Sequence, residues 1–193
     1  MTMVLPLGNA YNTGINSGIL QNTLVQQLNS SSFRTFAINQ ALNLEAELNV
    51  KIKTQKAEFI DSYFAEHDMP LEGTGMKMVE EAEKNELDWR LLPAIAVRES
   101  TGGKNDCKKV SNNAFGWGSC KVGFKSNEEA IEIVAKNLGG NNPKTARHYD
   151  NKTNKQILQA YNPPSIIPNY AQQVMSIMDD IGEAEVTGTL ATT

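Results

Sequence analysis

Apolar side chains recur every three or four residues along much of this chain, which is the spacing of one face of an α-helix. The longest stripe follows Ser32, a plausible N-cap, and its members are Phe33, Phe36, Ala37, Ala41, Leu44, Leu48, Ile52, Phe59, Ile60 and Tyr63. At about 1.5 Å of rise per residue, one helix from Phe33 to Phe64 would be on the order of 45 Å long. Two ordinary helices broken near Gln55 would satisfy the same pattern, and both possibilities stay open.

Five further helices are predicted from the same periodicity and from capping residues. Thr74, Asp88 and Asn127 are the expected N-caps of the first three, and Trp89 is the expected first residue of the helix that Asp88 caps. These helices are expected to end at about Asn85, just after Glu99 and at Leu138, and two more are expected around 155–160 and from about Asn169 to Ile181. Between the second and third of them, residues 101–126 form a loop region dense in Gly, Asn, Lys and Ser. Because strand signals are few, residues 57–182 are predicted to form an all-α domain.

Composition narrows the class of protein without indicating an activity. The 193 residues are 40% hydrophobic and 21% charged, which is typical of a globular chain. A net charge of -4 argues against a general nucleic-acid binder, which would usually be basic. No apolar run approaches the roughly 18 residues of a membrane span. The N-terminus is not expected to be a secretory signal, because its short apolar stretch has no basic flank.

Cys107 and Cys120 are the two cysteines of the chain, and they flank a Gly-rich loop. A bond between them would close a short loop worth roughly 3 kcal/mol in the chain-entropy model. Two free thiols in a reducing compartment fit the sequence equally well. No metal or other cofactor is predicted, because His67 and His148 are far apart and lack metal-ligand spacing.

Glu99 is the residue that most suggests chemistry, since it ends the apolar helix that starts near Asp88. A carboxylate held against apolar surroundings has its charged form disfavoured, so its pKa rises and it can donate a proton near neutral pH. Three later segments supply glycine, aromatic and amide groups that suit a sugar ligand. They are Asn-Ala-Phe-Gly-Trp-Gly at 113–118, Ala-Tyr-Asn-Pro-Pro-Ser at 160–165, and Tyr-Ala-Gln-Gln-Val at 170–174.

Together with Glu99-Ser100, these segments make the chain resemble the lysozyme-like superfamily. Its lytic transglycosylases show a Glu-Ser motif, a Gly-rich turn with a large apolar residue, Ala-Tyr-Asn, and a Tyr that opens the last helix, in this order. The resemblance covers about residues 57–182 and implies a lysozyme-like α domain with a small loop-rich lobe. It implies that Glu99 is catalytic and that the substrate is bound by Ser100, Phe115, Gly116, Trp117, Tyr161, Asn162 and Tyr170.

The second motif differs from the Gly-Leu-Met-Gln that is usual in transglycosylases. Here it is Gly-Trp-Gly-Ser at 116–119, closer to endo-β-N-acetylglucosaminidase-like domains, and Pro164 stands where Gly is usual. The subfamily and the bond cleaved are therefore open. Each aromatic residue of the set also fits a purely structural role in the core, and Asn162 fits a turn before proline.

A second carboxylate, which many glycosidases require, is not evident. Asp106 is the nearest candidate, but it lies among Lys104, Lys108 and Lys109 and is better explained as a solvated loop charge. The resemblance offers a mechanism with one glutamate, in which Glu99 acts first as acid and then as base. We therefore expect cleavage of the β-1,4 glycosidic bond of peptidoglycan glycan strands with release of 1,6-anhydro products.

The resemblance leaves residues 1–56 without a counterpart, and these are predicted to form an arm and long helix for attachment or assembly. Residues 57–182 would be the catalytic domain and 183–193 a polar tail. A virion-associated phage lysin, carried to the bacterial cell wall by other virion proteins, would need no secretory signal. The competing hypotheses are a non-enzymatic structural or adaptor component of a phage particle, a hydrolysing glucosaminidase, and a bacterial autolysin.

Overall fold

The structure is a computed structural model that describes the backbone of residues 31–190 and the side chains of residues 33–182. Within that range the chain is all-helical and has no strand, which confirms the predicted all-α class. Its helices are α1 (Ser31–Glu66), α2 (Gly75–Lys84), α3 (Leu91–Ser100), α4 (Asn127–Leu138), α5 (Ala146–Tyr149), α6 (Asn154–Tyr161) and α7 (Tyr170–Leu190). The described residues divide into two units, with the boundary between Leu48 and Asn49.

The long helix α1 is continuous over 36 residues, so the alternative of two helices broken near Gln55 is wrong. Its side chains are exposed from residue 33 to residue 52, whereas Ala57, Ile60 and Phe64 are buried. The last turns of α1 therefore belong to the core of the second unit. No helix in the described range, this one included, has the length and apolarity needed to cross a membrane.

The core of the second unit is built around α3, whose residues 91–96 (Leu-Leu-Pro-Ala-Ile-Ala) are all buried. A helix that is apolar on every side belongs in the interior of a domain. Accordingly, α3 packs against both α7 and α2. Pro93 lies in the first turn, where its missing N–H breaks no helical hydrogen bond. Because α3 is held on all sides, the position of Glu99 in its last turn is set by the core.

Side-chain hydrogen bonds shift two helix starts from their predicted residues. α3 begins at Leu91 and not at Trp89, because the Asp88 carboxylate accepts a hydrogen bond from the Arg90 backbone N–H at 3.0 Å. α4 is capped by the side chain of Ser126, one residue before the predicted cap. α7 continues past its predicted end into the stretch that was expected to be a polar tail.

The segment between α3 and α4 forms a loop-rich lobe that is held by one covalent bond and one buried amide. Cys107 and Cys120 are joined by a disulfide, which answers the question that the sequence left open. The Asn113 side chain is 0% exposed and donates to the backbone oxygens of Trp117 (2.9 Å) and Val122 (2.8 Å). It also accepts from the Trp117 backbone N–H at 2.9 Å. Residues 113–118 therefore have a defined conformation beside α3.

Candidate active site

Glu99 lies where α3 ends against this lobe. The C-cap residue Thr101 has a left-handed backbone with φ of 55°, and the chain turns there into the lobe. The buried Ser100 hydroxyl donates to the Ala114 backbone oxygen at 2.7 Å and accepts from the Gly103 N–H at 2.9 Å. Ser100 therefore ties the helix end to the lobe and has a structural position, in place of the substrate contact predicted for it.

The two oxygens of the Glu99 carboxylate have different surroundings. Oε1 accepts a hydrogen bond from the Tyr170 hydroxyl at 2.6 Å. Oε2 lies against the backbone of Gly116, so closely that a Cβ at that position would be 2.8 Å away. Since Tyr170 occupies Oε1, a proton carried by the acid belongs on Oε2. The absence of a side chain at Gly116 leaves space beside that oxygen, which an added Cβ would fill.

Burial raises the pKa of Glu99 above the ordinary value of a glutamate. The hydrogen bond from Tyr170 and the positive charge of Arg98 both act in the opposite direction but do not cancel the effect of burial. Burial, followed by the proximity of Glu99, also raises the pKa of Tyr170, so its phenol stays protonated and remains a donor. A carboxylic acid with a raised pKa is the form that a general acid requires.

Aromatic rings form a continuous cluster beside Glu99. The centroids of Trp117 and Tyr161 are 5.8 Å apart, and the rings of Tyr161 and Tyr170 stack at 6.0 Å with planes 10° from parallel. The Tyr161 hydroxyl donates to the backbone oxygen of Phe115, which links α6 to the lobe. The cluster therefore fixes the lobe and α6 relative to Glu99 and also supplies aromatic surface.

These groups border a cleft of about 620 Å³. Its lining residues are Glu99, Gly116, Trp117, Gly118, Ser119, Cys120, Thr145, His148, Tyr149, Tyr161, Asn162, Pro163 and Ile166. Five of the eight predicted site residues are thus brought to one cavity, whereas Ser100, Phe115 and Tyr170 lie behind it. The ring of Phe115 is 1% exposed and packs in the core, so the expected sugar contact is replaced by a core position. Tyr170, also 1% exposed, acts on Glu99 from inside the protein.

The sequence did not indicate the far wall of the cleft. Thr145, His148 and Tyr149 come from the short helix α5 and the residue before it. A helix of four residues has no apolar period to detect. The one available signal was the adjacent pair of ring side chains, His148 and Tyr149. The Tyr149 ring lies 6.4 Å from the ring of Trp117 and extends the aromatic cluster across the cleft.

Asp106 does not line the cleft. Burial raises its pKa, and hydrogen bonds from the backbone of Cys107 and Asn113 act against that rise. Its Oδ1 atom is buried and makes no hydrogen bond. The side chain is therefore partly buried in the lobe, which corrects the expectation of a solvated loop charge. Among the described residues that line the cleft, Glu99 is the sole carboxylate.

The described part of the chain contains no group of three His, Cys, Asp or Glu side chains arranged to hold a metal ion. No protein-family model, curated protein or solved structure matches this chain. The membership of the lysozyme-like superfamily stays a prediction, and the chemistry of the cleft is argued from its geometry.

Proposed function

We propose that this chain is a peptidoglycan lytic transglycosylase that cleaves the β-1,4 glycosidic bond of the glycan strand with Glu99 as its catalytic group. The observation that carries the proposal is the asymmetry of the Glu99 carboxylate. One oxygen accepts a hydrogen bond from a buried tyrosine and the other lies against Gly116, and both Glu99 and Gly116 line the aromatic cleft. This is the arrangement that a proton donor to a bound polymer requires.

The first step transfers the proton from Glu99 Oε2 to the glycosidic oxygen as the bond from that oxygen to the sugar C1 breaks. The carbonyl oxygen of the substrate's own N-acetyl group bonds to C1 and takes up the positive charge. In the second step the Glu99 carboxylate removes the proton from the C6 hydroxyl, and that oxygen bonds to C1 and releases the N-acetyl oxygen. Glu99 ends the cycle protonated, and the product is a 1,6-anhydro sugar.

The composition of the cleft supports this route over a mechanism with two carboxylates. Inverting glycosidases place a second carboxylate about 6.5–9.5 Å from the acid and retaining ones about 5–5.5 Å away. The described lining contains one carboxylate, together with the aromatic rings of Trp117, Tyr149 and Tyr161. Such rings suit the apolar face of a sugar, and the cleft volume lies within the usual range of about 300–1,000 Å³ for ligand sites.

The test is Glu99→Gln, measured on purified peptidoglycan. An amide keeps the shape of the side chain and still accepts the Tyr170 hydrogen bond, so the thermal melt should stay close to that of the wild type. Loss of general acid catalysis lowers rates by about 100- to 10,000-fold, and the clearing of peptidoglycan in a zymogram should disappear. Glu58→Gln, an exposed position on α1, is the matched control and should clear as wild type does.

Product analysis separates the proposed reaction from hydrolysis. Mass spectrometry of the digest should show glycan ends lighter by one water than the reducing ends that a hydrolase produces. Reducing ends in place of anhydro ends would assign the chain to the hydrolases. No clearing by the wild type would instead favour the non-enzymatic structural component.

The exposed apolar side chains around α1 support the second part of the proposal, attachment of the enzyme to a phage particle. Six large apolar side chains are 55–67% exposed, and they are Phe36, Ile38, Leu42, Leu44, Leu48 and Val50. A dense set of exposed apolar side chains is typical of an interaction site. Replacing Leu44 and Leu48 by Gln should abolish incorporation of the protein into particles, measured by mass spectrometry of purified virions, and leave clearing by the pure protein intact. Continued incorporation of this variant would contradict the attachment role.

A further inference from the structure

Arg98 precedes Glu99 in the chain, yet its side chain packs on the opposite helix, α7. Its guanidinium carbon lies 5.7 Å from the centre of the Tyr170 ring. Its Nε donates to Gln173 Oε1 at 2.8 Å, one turn further along α7. The guanidinium therefore has two contacts on α7, one with an aromatic ring and one with an amide.

Tyr170 connects this cation to the reacting group. Its hydroxyl donates to Glu99 Oε1 at 2.6 Å, and its ring is stacked on Tyr161 and is almost fully buried. A cation close to an aromatic ring is attracted to the ring electrons. A guanidinium, a buried phenol and a carboxylate are thus connected by direct contacts, and a change at Arg98 is transmitted to Glu99.

We propose that Arg98 is a positioning residue that holds the Tyr170 hydroxyl on Glu99 and supplies the positive charge that stabilises the Glu99 carboxylate during the base step. The inference rests on the proposed function, because it assigns a role in the second half of that cycle. Gln173 contributes to the same network of side chains, because its amide oxygen accepts a hydrogen bond from Arg98 and orients the guanidinium. Arg98 is not among the residues that line the cleft, so it acts through Tyr170 and through its charge.

The physical reason is that Glu99 must be an acid in one step and a base in the next. Burial alone favours the neutral form and would impede removal of the proton from the C6 hydroxyl. The charge of Arg98 and the donor of Tyr170 both lower the pKa of Glu99 and oppose that effect. A group that serves as acid and base in turn works best when neither form is strongly favoured.

Other titratable groups face Glu99 from the neighbouring elements. Tyr161 from α6 and Tyr149 from α5 border the cleft, and burial raises the pKa of both, so both stay neutral. His148 from α5 also lines the cleft. The lobe presents Gly116 and Trp117, which do not titrate, and a cysteine that is held in the disulfide. A separate His148→Gln variant therefore identifies any limb of the pH profile that belongs to this histidine.

The experiment compares Arg98→Met with Arg98→Lys and Gln173→Ala. Methionine keeps an unbranched stem against Tyr170 but removes the charge, whereas lysine keeps the charge. The pH dependence of kcat/KM on peptidoglycan should show the alkaline limb of Arg98→Met moved upward by roughly half to one pH unit, the weak end of the effect of a nearby opposite charge. Its kcat should fall. In Arg98→Lys the alkaline limb should lie close to its wild-type pH. In Gln173→Ala it should move upward by less than in Arg98→Met.

A titration of the Glu99 carboxyl carbon by NMR measures the same quantity without reference to activity. An upward shift in Arg98→Met that lysine reverses supports the inference. The inference is overturned if the titration midpoint of Glu99 is unchanged in Arg98→Met, or if Arg98→Met and Arg98→Lys change it equally, even if activity falls at every pH. If Arg98→Met does not fold, the same titration of Glu99 in Gln173→Ala tests the inference in its place. A wild-type protein that does not cleave peptidoglycan contradicts the proposed function, and that result is distinct from an unmoved titration in an active enzyme.

Discussion

Gly116→Ala tests most directly whether the open side of Glu99 is where the proton is transferred. An alanine Cβ would lie 2.8 Å from Glu99 Oε2, and ordinary van der Waals contact begins at 3.4 Å, so the two groups must separate by about 0.6 Å. The backbone of Gly116 also has a φ of 62°. A left-handed conformation costs an L-residue roughly 1–2 kcal/mol. The variant therefore combines backbone strain with a displacement of the acid.

Gly118→Ala is the matched control, because it carries the strain without the displacement. Its φ is 64°, and its Cβ would meet Val122 Cγ2 at 2.9 Å but no atom of Glu99 within 4 Å. Both substitutions are in the same disulfide-closed loop. For a unit of this size, each kcal/mol lowers Tm by about 2–4 °C. We expect both variants to melt a few degrees below wild type, by similar amounts.

Activity should separate the two variants far more than stability does. Misplacing a catalytic group by about 1 Å costs on the order of 100-fold in rate, so kcat/KM of Gly116→Ala on peptidoglycan should fall by a large part of that factor. Gly118 also lines the cleft, but a Cβ there would not displace Glu99, so Gly118→Ala should lose far less activity than Gly116→Ala. Clearing is measured well below both melting temperatures, with circular dichroism as the check on folding. Equal losses in the two variants, or full activity in Gly116→Ala, would refute the assignment of the proton to Oε2.

Three further outcomes are expected. Tyr170→Phe removes the hydrogen-bond donor that lowers the pKa of Glu99. The acid form of Glu99 should then persist to higher pH, and the alkaline limb of the pH dependence of kcat/KM should move upward. An alkaline limb at the wild-type pH would contradict the hydrogen bond between Tyr170 and Glu99. Reduction of the Cys107–Cys120 bond, which joins residues 13 apart, should lower the free energy of unfolding by about 3 kcal/mol, and a double Cys→Ala variant should melt at the same temperature with and without reductant. Asn113→Ala removes the side-chain partner of the Trp117 N–H and of the Trp117 and Val122 backbone oxygens, at about 0.5–1.5 kcal/mol for each hydrogen bond, so urea should unfold it at a lower concentration, and a midpoint equal to wild type would disprove the role of this amide.

The helices were predictable because each depends on neighbours in the chain. The apolar spacing and the glycine pairs placed six of the seven described helices, five of them within a few residues of both bounds, whereas α7 continues from its predicted end at Ile181 to Leu190. The exception is α5, whose four residues are too few to show a period. The shifted starts of α3 and α4 arise from side-chain hydrogen bonds of Asp88 and Ser126 that several nearby polar residues could have made. The apolar pattern alone does not show which of several nearby polar side chains forms the hydrogen bond at a helix start.

The candidate site was predictable in part, for a different reason. Glu99 was identified because a carboxylate at the end of an apolar helix is conspicuous in one segment of sequence. The sequence does not show whether Phe115 and Tyr170 line the cleft or lie in the core, because an aromatic residue in a loop or at a helix start fits either position equally well. Their burial depends on which elements pack over them, and those elements are far away in the chain.

Local information therefore decided the helical class, the position of the candidate acid and the glycine that faces it. Packing between distant segments decided the rest. Tyr170 is 71 residues from Glu99 and Tyr161 is 46 from Phe115, yet each pair is joined by a hydrogen bond. Burial is what raises the pKa of Glu99, and the groups that bury it come from several segments, of which α3 is one. The protonation state of Glu99, and with it the proposed chemistry, is a property of the folded unit.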